Sequence, residues 1–584
     1  MCRLRSSCGP LAFVFSVLTL TVPVLAGEGE LAGLLPESTV LYVELQPAVV
    51  LERLLAHPVV KRIEALPQYK VALANPQLTQ LRAAVTLVEL RMQSTWPELV
   101  ASMTSGGLVL AVDGKTDGWI LLGKAANSEV APRLRDTLLS FARQQAREHR
   151  QPDPVRSGEY RGILAQQVHN VRIAVFDQWY LATNKSDLGK AVLDIYLDKS
   201  AATLASKDSF QQAIQKRSPH TDVWAYADLD YLRRAGVAAD LFSGKADNPA
   251  AELLLGGVLE VLRKAPYAAA EWSLSEQRAC LRLYAPIESG WIRQPREYFF
   301  GAGLSGQAAD LPRPEGTLLS ISTYRNLSEF WLRAGELFDK ETNDQLAQAD
   351  SMLTTLFSGH DFGRDILGAI EPQWQLVVAR QQFAADQPVP AIRLPAFALA
   401  GQLREPEKMR RELRRIFQSL VGFLNIVSAM QGQPQLELDE QRDGDLHLVL
   451  ARFIPEADRP ADAQVPIQYN FAPTLGFRGS RVVLASSPVL ARRMLEDCPS
   501  EPVPPGTNTG LLIDREPLRQ LLADNRTQLV SQAVLERGRS REEAEEEIDL
   551  VLKLLEAVDR FQMRLVTGEM IALEFELGFA GQQD

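Results

Sequence analysis

The 584-residue chain has only four cysteines and six histidines, and it holds 62 Lys and Arg against 73 Asp and Glu. Each shortage excludes something. Cys2 and Cys8 fall in a segment expected to be removed, so only Cys280 and Cys498 remain, too few for a disulfide framework. Spacing alone leaves open whether those two bridge. His57, His149, His169, His220, His360 and His447 lie apart from one another and from any cysteine or carboxylate at metal-ligand spacing, so zinc hydrolysis has no support. A net charge of −11 argues against a broad phosphate-binding surface and hence against nucleic acid as a partner. The pentapeptide Gly-x-Ser-x-Gly of a nucleophile elbow is absent, although triads assembled from distant segments stay open. Beyond residue 26 no apolar run approaches the roughly 20 residues of a membrane span.

What is present begins with a secretory pattern. Arg3 and Arg5 precede an apolar run over residues 11–24, and Val24-Leu25-Ala26 supplies small side chains for cleavage before Gly27. Residues 1–26 therefore read as a signal peptide, with an uncleaved anchor as the alternative. Cys8 lies before the apolar run, where lipidation does not occur. Cleavage moves the net charge to −13 and implies a periplasmic or extracellular protein. With 46% hydrophobic and 23% charged residues, the full chain has an ordinary globular composition.

The second half repeats the first in pattern. Pro36-Glu37-Ser38-Thr39-Val40-Leu41 is answered by Pro314-Glu315-Gly316-Thr317-Leu318-Leu319, and Glu98 to Met103 by Asp365 to Ile370. Leu121-Leu122-Gly123-Lys124 is answered by Leu399-Ala400-Gly401-Gln402, and Tyr180-Leu181-Ala182-Thr183 by Val483-Leu484-Ala485-Ser486. Asp228-Leu229-Asp230 matches Asp514-Arg515-Glu516, and each half closes on a helix followed by two alternating runs. The closing helices are expected over residues 253–262 and 548–558, the second with Ser540 and Glu543 as a capping box upstream. Runs such as 172–176 and 179–183 are too close for a parallel crossover, which predicts antiparallel pairing. The expected class is α+β in two homologous halves, 27–292 and 313–584, each with a largely antiparallel sheet and packed helices, joined by a Gly- and Pro-rich linker over 293–312.

Most motif-like features reduce to structure. Gly301-Ala302-Gly303-Leu304-Ser305-Gly306 fits a dinucleotide fingerprint literally, but residues 307–314 cannot open the required helix. Gly114-Lys115-Thr116 reads as a hairpin turn. The pairs Asp228/Asp230 and Asp514/Glu516 read as helix caps and first-turn acids rather than cation ligands, and the glutamates from 542 to 547 as a solvated helix face. Trp119, Trp179, Trp224 and Trp272 fall in expected strands, where sheet packing accounts for them better than sugar stacking. Asn184, Asn326 and Asn525 open glycosylation sequons, meaningful only in a host that glycosylates exported proteins. A helix expected over residues 407–430 carries Lys408, Arg410, Arg411, Arg414 and Arg415 at its start and apolar residues towards its end. That pattern suits packing in the core or between halves, with a membrane surface or partner as the alternative.

The run Leu34-Leu35-Pro36-Glu37-Ser38-Thr39-Val40-Leu41-Tyr42-Val43-Glu44-Leu45, followed by residues 51–58, resembles a family of large exported bacterial proteins known only as a domain of unknown function. Ser206-Lys207-Asp208-Ser209-Phe210 and Trp224-Ala225-Tyr226-Ala227-Asp228-Leu229 are similar cues. The resemblance implies export and a mixed α and β structure, and it transfers no catalytic residues. No residue is singled out as catalytic, cofactor-binding or metal-ligating. The expectation is a non-enzymatic envelope scaffold or binding protein for a protein, lipid, peptide or glycan, of undetermined oligomeric state. The alternatives are an exported hydrolase with its site at the interface between the halves, or weak membrane-surface contact through residues 407–430.

Overall fold

The computed structural model describes residues 30–581, apart from 68, 70–72, 74, 200–201, 245, 247, 358, 384–388 and 454–464. The expected signal peptide over residues 1–26, with Cys2, Cys8 and the cleavage point before Gly27, lies outside the described residues. Helix makes up 45% of the chain and antiparallel strand 29%, which places it in the α+β class. The chain divides into two units. One takes the chain up to Ala238 together with Ala265–Ala285; the other takes Ala239–Lys264 with Pro286–Ala580.

In the first unit, strands β1 (Thr39–Leu45), β2 (Leu108–Asp113), β3 (Gly118–Lys124), β4 (Val155–Tyr160), β5 (Ile163–Val168), β6 (Val171–Phe176), β7 (Trp179–Thr183), β8 (Val223–Asp228), β9 (Tyr267–Leu274) and β10 (Arg278–Pro286) form one sheet. Its order is β4-β5-β6-β7-β3-β2-β1-β8-β9-β10, antiparallel throughout. Helix α1 (Val130–Glu148) packs Leu139 and Ala142 against Val155 and Val168 on one face. Helix α2 (Ser186–Asp198) covers the other face, where Gly189 lies against Leu181 and Thr183. Period-2 alternation fixes which side chains meet which helix.

The second unit has β11 (Thr317–Tyr324), β12 (Gln373–Ala379), β13 (Ala396–Gln402), β14 (Leu436–Asp443), β15 (Leu446–Phe453), β16 (Thr474–Arg478), β17 (Arg481–Ala485), β18 (Thr507–Asp514), β19 (Val558–Thr567) and β20 (Met570–Phe579). Their order is β14-β15-β16-β17-β13-β12-β11-β18-β19-β20, again antiparallel. Subtracting ten from each label returns the order of the first unit. The pairing registers refine one sequence match: Val483 takes the place of Leu181, not of Tyr180, since each pairs with the small residue at the middle of the preceding strand.

Helix α3 (Pro249–Leu262) was expected to close the first half, yet it groups with the second unit. Its buried face is Glu252, Gly256, Gly257, Glu260 and Val261, while Leu254 is 70% and Leu255 50% exposed. Glu252 binds Arg296 through two bonds of 2.8 and 2.7 Å, and Glu260 binds Arg293 and Arg296. Residues 293–312, expected as a linker, supply those arginines and the fully buried Tyr298, Phe299 and Phe300. Gly257 allows the helix to approach Phe299, whose ring a Cβ there would meet at 2.4 Å. The remaining helices named below are α4 (Pro406–Met430), α5 (Pro488–Leu495) and α6 (Arg541–Glu556), the last capped reciprocally by Ser540 and Glu543.

Candidate ligand cleft

The four strands β4 to β7 pair so that Gly158, Ala165, Ala174 and Leu181 form one cross-strand row, and Arg156, Gln167, Arg172 and Thr183 the next. Alternation turns both rows towards α2. Three of the four side chains in the first row are a hydrogen or a methyl group, too small to fill the space beneath a helix. A cleft of about 240 Å³ results, lined by both rows together with Tyr160, Ser186, Gly189, Lys190 and Leu193. A Cβ on Gly158 would meet nothing within 4 Å, so the cleft opens at the edge strand β4.

Its floor is apolar and its rim basic. Arg156 is exposed and has no carboxylate partner among the described residues. Arg172 donates to the carbonyls of Asn184 at 3.0 Å and Asn170 at 3.4 Å, so its charge also lacks a carboxylate. Two strand spacings separate the pair, roughly 10 Å between Cα atoms. Lys190 lies 5.6 Å from the Tyr160 ring centroid and 3.8 Å from Asp187. Glu159 is the one carboxylate in the lining, and alternation turns its side chain to the opposite face of β4. The Tyr160 hydroxyl donates to Asp194 at 3.0 Å, a bond that pushes its pKa up. Arg161 binds Asp194 at 2.7 Å and Asp198 at 2.6 Å, holding Asp198 below the usual carboxylate range. The Thr183 hydroxyl is committed to the Trp119 carbonyl at 2.7 Å. Such a site can hold an anion beside an apolar group.

The equivalent place in the second unit is filled. Register puts Leu448 where Ala165 stands, Gly476 for Ala174, Val483 for Leu181, Asp439 for Arg156 and Thr474 for Arg172. Leu448 is fully buried with Leu495 of α5 in one apolar cluster, and a Cβ on Gly476 would lie 2.5 Å from Leu495 and 2.8 Å from Leu448. The leucines thus occupy the volume that the first unit leaves open. Sequence reading did not single out these cleft residues. The usable signal is a glycine or alanine inside each of three successive strands, Gly158, Ala165 and Ala174.

The other candidates fall as follows. Asp228 caps the helix Leu229–Arg234 by accepting from the Tyr231 amide at 2.8 Å and also pairs with Lys207. Asp228→Ala should therefore cost about 2 kcal/mol, as a lost cap and a stranded ammonium combine. Asp228→Asn should lose less by keeping the cap acceptor; chemical denaturation compares the two. Asp514 pairs with Arg313, and Glu516 pairs with Arg519 at 2.8 Å. Hydrogen bonds from Arg519 hold Glu516 down at about 2. Gly301 to Gly306 forms a short 3-10 turn with no following helix, and Gly114 lies in the β2–β3 turn. Cys280 and Cys498 are not joined by a disulfide. Trp224 is fully buried and Trp179 8% exposed. The side chains of Asn184, Asn326 and Asn525 accept backbone amides. No group of three metal-capable side chains occurs among the described residues, and no described helix is long and apolar enough to cross a membrane.

Helix α4 buries Met409, Ile416, Phe417 and Val421, yet leaves Phe423 58%, Ile426 63% and Met430 83% exposed. Lys408, Arg410 and Arg415 each face a glutamate of the same helix or its cap, and Arg414 faces Glu440.

No protein-family profile matches the chain, and no curated protein does. Among solved structures, crystal form III of TP0453 is similar at 10% identity, covering 48% of this chain and 88% of that one, with a TM-score of 0.26. Crystal form IV of TP0453 gives 9% identity, 44% and 80% coverage, and a TM-score of 0.24.

Proposed function

We propose that this chain is an exported, non-enzymatic binding protein, that its two units descend from one duplicated framework, and that the first unit's cleft is its ligand site. The observation that carries the reading is the contrast at one place in a shared topology. Ala165 and Ala174 leave space under α2 beside uncompensated arginines, whereas Leu448 and Leu495 close the same space in the second unit. Packing alone favours the filled version, because an unfilled volume forfeits contacts on every side. Export is supported by the amino-terminal pattern of Arg3, Arg5 and the apolar run before Gly27.

The test is native mass spectrometry of the protein recovered from the envelope of its source cell, beside the variant Ala165→Leu, which copies the second unit. The expected result is a small-molecule adduct on the unaltered chain that Ala165→Leu lacks, on a polypeptide beginning at Gly27. An adduct that persists in Ala165→Leu, or a wild-type chain that is bare in repeated preparations, counts against the reading.

A further inference from the structure

We infer that the cleft takes a single-chain anionic amphiphile, its acidic head between Arg156 and Arg172 and its apolar chain along Ala165, Ala174 and Leu193; this rests on the reading of the cleft as the ligand site. Three observations select the class. First, two guanidinium groups on one face of the sheet lack carboxylates among the described residues, while Lys190 at the rim already faces Asp187 at 3.8 Å. A cation would be repelled there, whereas a carboxylate, sulfate or phosphate head matches the arginine fork. Second, α2 begins at Ser186 with no side-chain cap from Lys185, so its first amides stay available as donors, and the one acid of that turn, Asp187, is taken up by Lys190. Third, the floor offers methyl and methylene groups rather than paired polar atoms, which suits a hydrocarbon better than a sugar.

Size narrows the class further. A cleft of about 240 Å³ is below the roughly 300–1,000 Å³ of an ordinary enclosed small-molecule site. It holds a short stretch of chain, and the remainder leaves past Gly158, where the edge strand presents no side chain. In the second unit both selecting features are gone, with Asp439 and Thr474 in place of the arginines and leucines in the space.

Isothermal titration calorimetry of the full mature chain with octanoate, octan-1-ol and acetate separates head from tail. Octanoate should bind about tenfold tighter than octan-1-ol, a difference near 1.4 kcal/mol, and acetate should give no measurable binding. Arg172→Gln should bring octanoate to the level of octan-1-ol while leaving the alcohol unchanged, and Arg156→Gln should act in the same direction. Ala165→Leu should abolish binding of both, with circular dichroism confirming the fold. The arginine variants decide the question even if Ala165→Leu fails to fold, since neither side chain holds a carboxylate partner.

Equal affinity for octanoate and octan-1-ol, or octanoate binding that Arg172→Gln leaves intact, overturns the inference. A neutral or cationic adduct in the native spectrum, lost in Ala165→Leu, overturns the ligand class while the cleft stands. Octanoate binding that survives a folded Ala165→Leu overturns both.

Discussion

Arg296→Met is expected to destabilise the second unit by about 3–5 kcal/mol, the usual cost of breaking a buried ion pair from one side. Arg296, Glu252 and Glu260 are all inaccessible to solvent. Arg296 donates twice to Glu252 and once to Glu260 at 2.8 Å, and Tyr298 adds a bond of 2.7 Å to the Glu252 carbonyl. Methionine fills a similar volume but leaves two carboxylates facing it. The variant should show a lower urea midpoint and faster amide exchange along α3. Adding Glu252→Gln should recover part of the loss, because Glu252 is the carboxylate left without an arginine while Glu260 keeps Arg293 and Arg263. The same network is acid-sensitive. Burial raises the Glu260 pKa, but the hydrogen bonds and charges of Arg293, Arg263 and Arg296 outweigh it and hold the carboxyl below its ordinary 4.5. A folded-state value below the unfolded one means that stability is present above that pH and is lost as pH falls below about 4.5. Arg293→Gln should flatten that acid limb.

The α3 network also explains where sequence reading fell short. A helix was expected over residues 253–262, and α3 spans Pro249–Leu262. Its buried face is not the one that hydrophobicity would select: the acids and glycines are inside, Leu254 and Leu255 outside. Hydrophobic patterning assumes that charges stay in water, and it has no means of seeing that Arg293 and Arg296, more than 30 residues away, will neutralise two glutamates. The strands were legible for the opposite reason. Alternation over residues 172–176 and 179–183, with Asp177-Gln178 between them, is a local signal, and the hairpin it predicts pairs Phe176 with Trp179. The cleft lies between these cases. Ala165 and Ala174 are compatible with any environment, so only their register opposite Gly158 and Leu181, set beside Leu448 and Gly476, reveals missing volume.

Trp224→Ala should be the most damaging single change in the first unit, costing about 3–5 kcal/mol. The indole is fully buried in an aromatic cluster, edge-on to Phe210 at 5.4 Å and to Tyr42 at 5.8 Å, with Tyr226 stacked at 6.5 Å. Its N–H donates to the Tyr284 hydroxyl at 3.0 Å, which in turn donates to the Ala213 carbonyl at 3.2 Å. Truncation therefore opens a cavity and removes one of the two hydrogen bonds of a buried hydroxyl. Trp224→Phe separates the two effects: it keeps most of the ring packing and should cost about 1–2 kcal/mol, chiefly the unmade hydrogen bond. Both variants are read by the urea midpoint of the first unit. The cluster also sets an alkaline limit, since burial pushes the Tyr284 hydroxyl up to about 12. A value raised above the ordinary 10 means that the folded state resists losing this proton. Stability is then complete below pH 10 and declines as pH rises towards 12. Ultraviolet titration of tyrosinate formation follows that decline directly.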